Sequence, residues 1–218
     1  MGVALPERKR QPLLALLALI PLAACSPYAD AKRDVAAGGR GLAKLNPAPK
    51  QGYELVLTLK DAPGPFAVVE GVAQYDARNY AACGRIVPAT GTAGRITSQE
   101  PIALRQVDKN EYRGTFYLDR MQDEDYYGRG VCHWTLTGVG AMLRATTGEA
   151  DTRFLTFVDK ERMDAGSQVT RHYPRADYPR IEEITGYGAS GEEDPSSYRA
   201  DLRNALFSTT TTVQKLMP

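Results

Sequence analysis

The chain has 218 residues and carries 27 Lys and Arg against 26 Asp and Glu, which gives a formal net charge of +1 at pH 7. This length suits one domain with tails. The near balance of charge argues against binding to a nucleic-acid backbone, which needs a concentrated positive field.

The N-terminus has the layout of a secretory signal peptide over residues 1–24. A basic segment at 8–10 precedes an apolar run at 13–22, and two small residues, Ala23 and Ala24, follow. The run is too short to cross a bilayer as a permanent helix. Because no polar residue gives the run an amphipathic face, the alternative of a buried core helix is disfavoured. The sequence therefore predicts export.

The end of this signal, residues 22–25, reads Leu-Ala-Ala-Cys and resembles the lipobox of bacterial lipoproteins. The resemblance implies that Cys25 is the first residue of the mature chain and that its sulfur carries diacylglycerol. A third acyl chain on its amine is usual, and such a multiple anchor holds a protein on the membrane. Ser26 rather than Asp follows the cysteine, which favours the periplasmic face of the outer membrane. A plain secretory signal with a chance cysteine is the alternative.

Residues 25–51 are rich in Ala, Gly, Lys and Pro and contain almost no large apolar side chains. Because such a composition cannot form a core, we expect a flexible tether. About 25 flexible residues reach roughly 25–30 Å, enough to lift a domain clear of the lipid headgroups.

Alternating apolar and polar residues then predict an all-β domain over residues 52–160. Turn-forming segments separate the runs, and the one at 108–110 is expected to close a hairpin. The spacing favours an antiparallel β-sandwich or open barrel of about six to eight strands. The predicted strands are 53–60, 66–77, 101–107, 112–119, 131–139, 141–146 and 152–158.

The chain has three cysteines. If Cys25 carries lipid, Cys83 and Cys132 remain to pair with each other. We expect this disulfide because the periplasm is oxidising.

Residues 161–218 predict an irregular C-terminal extension. Tyr-Pro-Arg occurs at 173–175 and again at 178–180, which favours an extended polyproline-like strap. Asp194 and Pro195 have the chemistry of a helix start, so we expect a short amphipathic helix over 195–206. A polar, frayed tail is expected to follow it.

The segment DEDYYGRGVCHW, residues 123–134, combines acids, aromatic rings, a cysteine and a histidine. As a helix-loop-helix calcium loop it fails at two ligand positions, where Tyr127 and Trp134 stand. An irregular calcium site formed by Asp119, Asp123 and Asp125 stays open as an alternative. Zinc is disfavoured because Cys132 and His133 are adjacent and no second cluster exists. We therefore predict no metal and no cofactor.

The sequence also lacks a complete set of catalytic residues. The chain supplies only two histidines and no nucleophile with a visible base, so we expect a protein that is not an enzyme. A hydrolase that uses Asp119, Asp123 or Asp125 is the alternative. In a strand, Cys132 and Trp134 share one face and are expected in the core, with His133 on the other.

Two surfaces are candidates for binding a partner. Tyr and Arg on rigid supports dominate protein interfaces, although rings that pack on their own sandwich are the alternative. For the Arg/Tyr strap, a solvated segment is the alternative to an anionic protein or glycan site. The candidate residues are Asp123, Asp125, Tyr126, Tyr127 and Arg129 in the loop, and Arg171, Tyr173 and Arg175 in the strap.

The segments 61–66, 111–119 and 123–134 resemble small proteobacterial lipoproteins that serve as immunity proteins for secretion-system effectors. The likeness covers roughly residues 53–158. It implies a periplasmic protein that neutralises a toxic effector by direct binding, without cofactor or catalysis. The alternative is an envelope-maintenance or glycan-binding lipoprotein, in which Tyr126, Tyr127 and Trp134 stack on sugars.

Overall fold

A computed structural model describes Met1 and residues 30–32, 34 and 40–216. The remainder of the predicted signal peptide and the predicted lipidation site, Cys25, lie outside these residues. Within the described part of the chain, no helix has the length and apolar character needed to cross a membrane.

Two five-stranded sheets pack face to face, as the sequence predicts for a sandwich, and the fold is not a closed barrel. Neighbouring strands run antiparallel in both sheets, except that Gly188–Ala189 pairs with Arg153 and Phe154 in parallel. The first sheet has the order β10-β12-β1-β7-β6. Its strands are β1 (Gly52–Lys60), β6 (Arg105–Asp108), β7 (Glu111–Tyr117), β10 (Val169–Pro174) and β12 (Leu206–Lys215).

The second sheet has the order β11-β9-β8-β2-β5. A small hairpin of β3 and β4 stands apart from both sheets. Two short helices, α1 (Tyr80–Cys83) and α2 (Lys160–Asp164), complete the regular elements named here. The strands of the second sheet are β2 (Val68–Ala77), β5 (Thr97–Ile102), β8 (Trp134–Arg144), β9 (Arg153–Asp159) and β11 (Gly188–Ala189). The hairpin consists of β3 (Ile86–Val87) and β4 (Thr92–Ala93).

The alternation in the sequence explains which face each strand buries. In β9, Phe154 and Val158 point inward and are fully buried, whereas Leu155 and Phe157 lie on the exposed face. Successive side chains of a strand point to opposite faces, so one apolar set fills the space between the sheets.

The core has two main clusters along the sandwich. One gathers around Leu55, Tyr75 and Val139. The other gathers around the aromatic rings of Phe154 and Phe207, whose centroids lie 5.0 Å apart.

The hairpin predicted at 108–110 is confirmed, since Asp108 pairs with Glu111 at the turn between β6 and β7. The two strands predicted at 131–139 and 141–146 are in fact one strand, β8, which begins at Trp134. Gly140 does not interrupt it. A Cβ at Gly140 would lie only 2.2 Å from the Thr156 carbonyl oxygen, so the close approach of β9 requires glycine there.

The prediction of an irregular extension after residue 160 is wrong. Strands β10, β11 and β12 all belong to the sandwich, and β12 lies between β1 and β10. The polar tail is therefore an interior strand of its sheet. Its threonines are compatible with the core because their hydroxyls are satisfied there: Thr211 Oγ1 lies 2.9 Å from Thr156 Oγ1 in the opposite sheet.

The helix predicted over 195–206 is also absent. Asp194 does cap a turn, accepting hydrogen bonds from Ser196 N at 2.8 Å and Ser196 Oγ at 2.6 Å. The turn is a single 3₁₀ turn, Pro195–Ser197, and a second one covers Arg203–Ala205. Tyr198 leaves the helical path because it is extended and its hydroxyl donates to the His172 carbonyl oxygen at 2.6 Å.

The last part of the predicted tether packs on the domain. Ala43 is buried, and Leu45 forms a β-bridge with Met121. Asn46 N donates to the Arg120 carbonyl oxygen at 2.8 Å. Residues 40–51 are therefore part of the folded unit, and the expectation of a free tether up to residue 51 is wrong.

Candidate functional site

The disulfide between Cys83 and Cys132 is confirmed and fixes one end of the sandwich. It joins α1 to the segment before β8, with the two Cα atoms 5.3 Å apart and both residues buried. Asn79 reinforces the junction: its Nδ2 donates to the Val131 carbonyl oxygen at 2.8 Å, and its Oδ1 accepts from His133 N at 2.8 Å. We call residues 79–85 and 122–134, with the packed segment 40–46, the disulfide end.

Asp125 organises the loop at the disulfide end. Its carboxylate accepts hydrogen bonds from Tyr127 N at 3.2 Å, Arg129 N at 3.0 Å and Gly130 N at 3.1 Å. These backbone donors, that of Gly130 first, lower the pKa of Asp125 below its usual value because they stabilise the charged form. Gly128 and Gly130 have φ of 69° and 108°, which lets the chain curl around the carboxylate.

Asp123 ties the loop to the start of β8. Its Oδ1 accepts from Trp134 N at 2.9 Å, and its Oδ2 lies 2.7 Å from His133 Nδ1. The His133 side chain is half exposed and is held by this contact. Asp123 is therefore a positioning group within the fold.

The packed segment 40–46 closes over the same loop. Lys44 Nζ lies 2.6 Å from Glu124 Oε1. The Tyr126 hydroxyl donates to the Gln122 carbonyl oxygen and accepts a long hydrogen bond of 3.4 Å from Lys44 N. These contacts add a second support to the loop.

The aromatic rings of the disulfide end pack on one another. Tyr126 lies edge-on to Trp134, with centroids 6.4 Å apart, and edge-on to Tyr127, with centroids 6.5 Å apart. Cys132 is fully buried, as expected, while Trp134 is half-buried beside the disulfide. Ring packing within the sandwich, which the sequence left as an alternative, is thus the arrangement of Tyr126 and Trp134.

A cavity of about 240 Å³ opens beside Tyr127. Arg129 Nη1 donates to the carbonyl oxygen of Gly84, the residue before Arg85 of the cavity wall. The four cationic side chains in the cavity wall are Lys32, Arg40, Arg85 and Arg95.

Two of these four cations form ion pairs with acidic residues that do not line the cavity. Arg40 pairs with Glu100, with Nε 2.8 Å from Oε1, and Arg95 Nη2 lies 2.6 Å from Asp76 Oδ2. Among the described residues no acidic side chain lines the wall itself, so the cavity favours a negatively charged or hydrogen-bond-accepting group.

The carboxylates of the alternative calcium site serve separate backbone donors. Asp119 accepts from Lys50 N at 2.9 Å and Gln51 N at 3.0 Å, in addition to the contacts of Asp123 and Asp125 given above. Within the residues described by the structure, no group of three or more His, Cys, Asp or Glu could hold a metal ion.

The second predicted surface, the Arg/Tyr strap, is dispersed. Tyr173 is fully buried in the core and donates its hydroxyl to the Leu155 carbonyl oxygen at 2.8 Å, so its placement on a binding surface is wrong. Burial raises the pKa of the Tyr173 phenol. Arg171 pairs with Glu193 at 3.2 Å, and Arg175 Nη1 donates to the Asp61 carbonyl oxygen at 2.9 Å.

The two predicted surfaces lie at opposite ends of the sandwich. Trp134 begins β8 at the disulfide end, and Leu143, nine residues later, packs in the cluster that contains Tyr173. At roughly 3.3 Å per residue the separation is about 30 Å.

Sequence reasoning missed the arginines of the cavity. Gly84-Arg85 and Gly94-Arg95 flank the β3–β4 hairpin, and Gly94 N approaches the Arg85 carbonyl oxygen at 3.4 Å. The repeated Gly-Arg pair on either side of a short hairpin was the available signal. The pairs stand at the open end of the hairpin, away from its turn, and both arginines line the cavity.

Comparisons with known proteins give no match: no family model matches the chain, no curated protein is significantly similar, and no solved structure matches. Function is therefore inferred from the N-terminal sequence and from the contacts at the disulfide end.

Proposed function

We propose that this protein is a lipid-anchored binding protein of the cell envelope that neutralises a secreted toxic effector by direct contact. The acylated Cys25 would be the membrane anchor, and the protein would act at the periplasmic face of the outer membrane. In this proposal the chain performs no chemistry, and its partner is a protein.

The observation that carries the proposal is a rigid loop beside an open cavity. The carboxylates of Asp123 and Asp125, the Tyr126 hydroxyl and the Arg129 guanidinium are all held by internal hydrogen bonds. A side chain mounted on such a support loses little conformational entropy when a partner binds. Tyr127 lines the cavity on this support and is the expected centre of the interface.

The charges of the wall indicate the chemistry of the partner surface. Arg85 and Arg95 are exposed and line the wall together with Tyr127, whereas the guanidinium of Arg40 is already paired with Glu100. Guanidinium groups bind carboxylates with two parallel hydrogen bonds. The partner is therefore expected to insert an acidic side chain, or a carbonyl-rich turn, next to Tyr127.

The test is complementation of a strain that lacks this gene but retains its effector. Wild-type protein should restore growth beside toxin-producing siblings, and Tyr127→Ala should weaken effector binding about 30-fold, since a central aromatic anchor contributes about 2 kcal/mol. Arg85→Ala should weaken it as well. Tyr187→Ala, a tyrosine about 37% exposed outside the disulfide end, is the matched control and should protect fully.

Cys25→Ser separates anchoring from binding. This variant should still capture the effector from a periplasmic extract but should no longer sediment with membranes. Normal growth of the deletion strain among toxin-producing siblings would contradict the proposed function, and full protection by Tyr127→Ala would contradict the proposed interface.

A further inference from the structure

A second cavity, of about 230 Å³, lies away from the disulfide end, next to β10 and β11. Its base includes the buried Tyr173 ring and Ala189, and its walls include Asp177, Tyr187 and Tyr198. The cavity is smaller than the 300–1,000 Å³ typical of sites for drug-sized ligands, so it suits a head group or a very small molecule.

The backbone around this cavity is firmly built. His172 and Glu192 exchange two backbone hydrogen bonds, of 2.8 and 3.0 Å, which hold the glycine-rich segment against β10. Gly191 has φ of 63°, and a Cβ there would lie 2.6 Å from the Tyr173 ring. The backbone of Gly191 therefore packs directly against the Tyr173 ring, and any residue with a Cβ would collide with that ring.

The wall carries negative charge without a matching cation. Asp177 and Glu192 belong to the wall, and no Lys or Arg in the described part of the chain does. Among the described residues the Asp177 carboxylate has no hydrogen bond or ion pair, although it is half-buried. Burial raises its pKa, since the charged form is poorly solvated there.

Three arginines close to this cavity along the chain have other partners. Arg175, two residues before Asp177, donates Nη1 to the Asp61 carbonyl oxygen at 2.9 Å, and Arg203 Nε donates to the Tyr198 carbonyl oxygen at 2.8 Å. Arg171 is paired with Glu193. These contacts keep three cations from neutralising Asp177.

We propose that this cavity is a binding site for an alkylammonium group. Asp177 supplies the counter-charge, and the faces of Tyr187 and Tyr198 supply cation–π attraction. The cation relieves the poor solvation of the carboxylate, and the surrounding rings exclude part of its water. The site is independent of the effector interface, because it lies at the opposite end of β8.

The test uses nuclear magnetic resonance titration of the full chain in a polyoxyethylene detergent, which carries neither charge nor sugar. The probes are n-butylammonium and tetramethylammonium chloride, with sodium chloride and glucose as references. We expect saturable shifts of the Gly188 and Gly191 amides with the ammonium salts and only weak, linear changes with the references.

Variants connect the binding to the proposed groups. Asp177→Asn keeps the shape, removes the charge and should weaken n-butylammonium binding about tenfold or more. Tyr187→Ala should weaken it about threefold to tenfold. Glu182→Gln, an exposed acid outside the wall, should leave it unchanged. If Asp177→Asn does not fold, n-butylammonium binding by Glu192→Gln measures the effect of removing a negative charge from the wall.

Titration with the peptide Gly-Lys-Gly, acetylated at its N-terminus and amidated at its C-terminus, distinguishes a free amine from a lysine side chain as the source of the ammonium group. Weaker binding by the peptide would assign the site to small amines, and tighter binding would assign it to lysine side chains. Equal affinity in wild type and in both charge variants, saturation by glucose alone, or shifts identical to those with sodium chloride would overturn the proposal.

Discussion

The guanidinium of Arg40 forms a two-bond ion pair with the carboxylate of Glu100, with Nε–Oε1 at 2.8 Å and Nη2–Oε2 at 3.0 Å. Glu100 is an inward-facing residue of β5 and is only 5% exposed. Its hydrogen bond from Ser98 Oγ, 2.8 Å long, completes the pairing. The chain that enters from the predicted anchor is thus fixed to the sandwich at the first residue of the packed segment.

Arg40→Ala should therefore destabilise the domain by about 1–3 kcal/mol. The loss leaves a buried carboxylate unpaired, although the outer end of the pair, 39% exposed, is partly screened by water. The free energy of unfolding from urea titration measures the change. The double variant Arg40→Ala, Glu100→Gln should recover part of the loss, and a double variant as unstable as the sum of the singles would contradict the coupling.

Reduction of the disulfide should cost about 4 kcal/mol. The bond closes a segment with a sequence separation of 49 residues, and closing a loop of this length restricts the unfolded chain by that amount in the chain-entropy model. Both cysteines are buried, so reduction should proceed through opening of the α1 region. Urea unfolding with and without reductant, and of Cys83→Ala, Cys132→Ala, measures the difference, and equal midpoints would contradict it.

The β-sandwich could be predicted from the sequence because its first strands are long and alternate cleanly. In β1, Leu55, Leu57 and Leu59 are buried while Thr58 and Lys60 are exposed, which is the pattern expected for a strand covered on one face. The disulfide followed from the cysteine count and the expected oxidising compartment. Both inferences need only local pattern or simple chemistry.

The C-terminal strand could not be predicted, because its partners are distant in sequence. The run of threonines in β12 is polar by composition, yet Thr209 and Thr211 are fully buried. Thr211 meets Thr156 across the sheets, and the Tyr173 hydroxyl approaches Thr209 Oγ1 at 3.4 Å. Only the tertiary structure reveals that these hydroxyls have partners.

The candidate site was predicted in part for the same reason. The rigid loop around Asp125 follows from local chemistry, since an acid followed by glycines readily caps a turn. The cationic cavity brings together Arg40, Arg85 and Arg95 from three separate parts of the chain. Tyr173 was misplaced because Tyr-Pro-Arg indicates extended backbone without indicating which face is covered.

Acidification should release the loop at the disulfide end. The backbone hydrogen bonds hold the pKa of Asp125 below its usual value, so its stabilising contribution is complete above the unfolded pKa of about 3.9 and is lost as the pH falls through the lower, folded pKa. The amide shifts of Arg129 and Gly130, followed from pH 6 to pH 2, report this transition.

Asp125→Asn should abolish the low-pH change in these amide shifts, because the amide side chain has no charge to lose. Asp164→Asn, an exposed acid of α2, is the control and should leave the transition in place. A transition that persists in Asp125→Asn would show that another group controls the loop.

Truncation of the chain after Ala205 should prevent folding, since it removes β12 from between β1 and β10. The point variant Phe207→Ala tests the same strand more gently and should cost about 3–5 kcal/mol. The Phe207 ring is 1% exposed and lies 5.1 Å from the Tyr173 ring and 5.0 Å from the Phe154 ring, measured between centroids. Val107→Ala, at a 54% exposed residue of β6, is the control and should stay within about 0.5 kcal/mol of wild type. A truncated chain that keeps the cooperative thermal transition of the full protein would mean that the polar tail is dispensable, as its composition alone suggests.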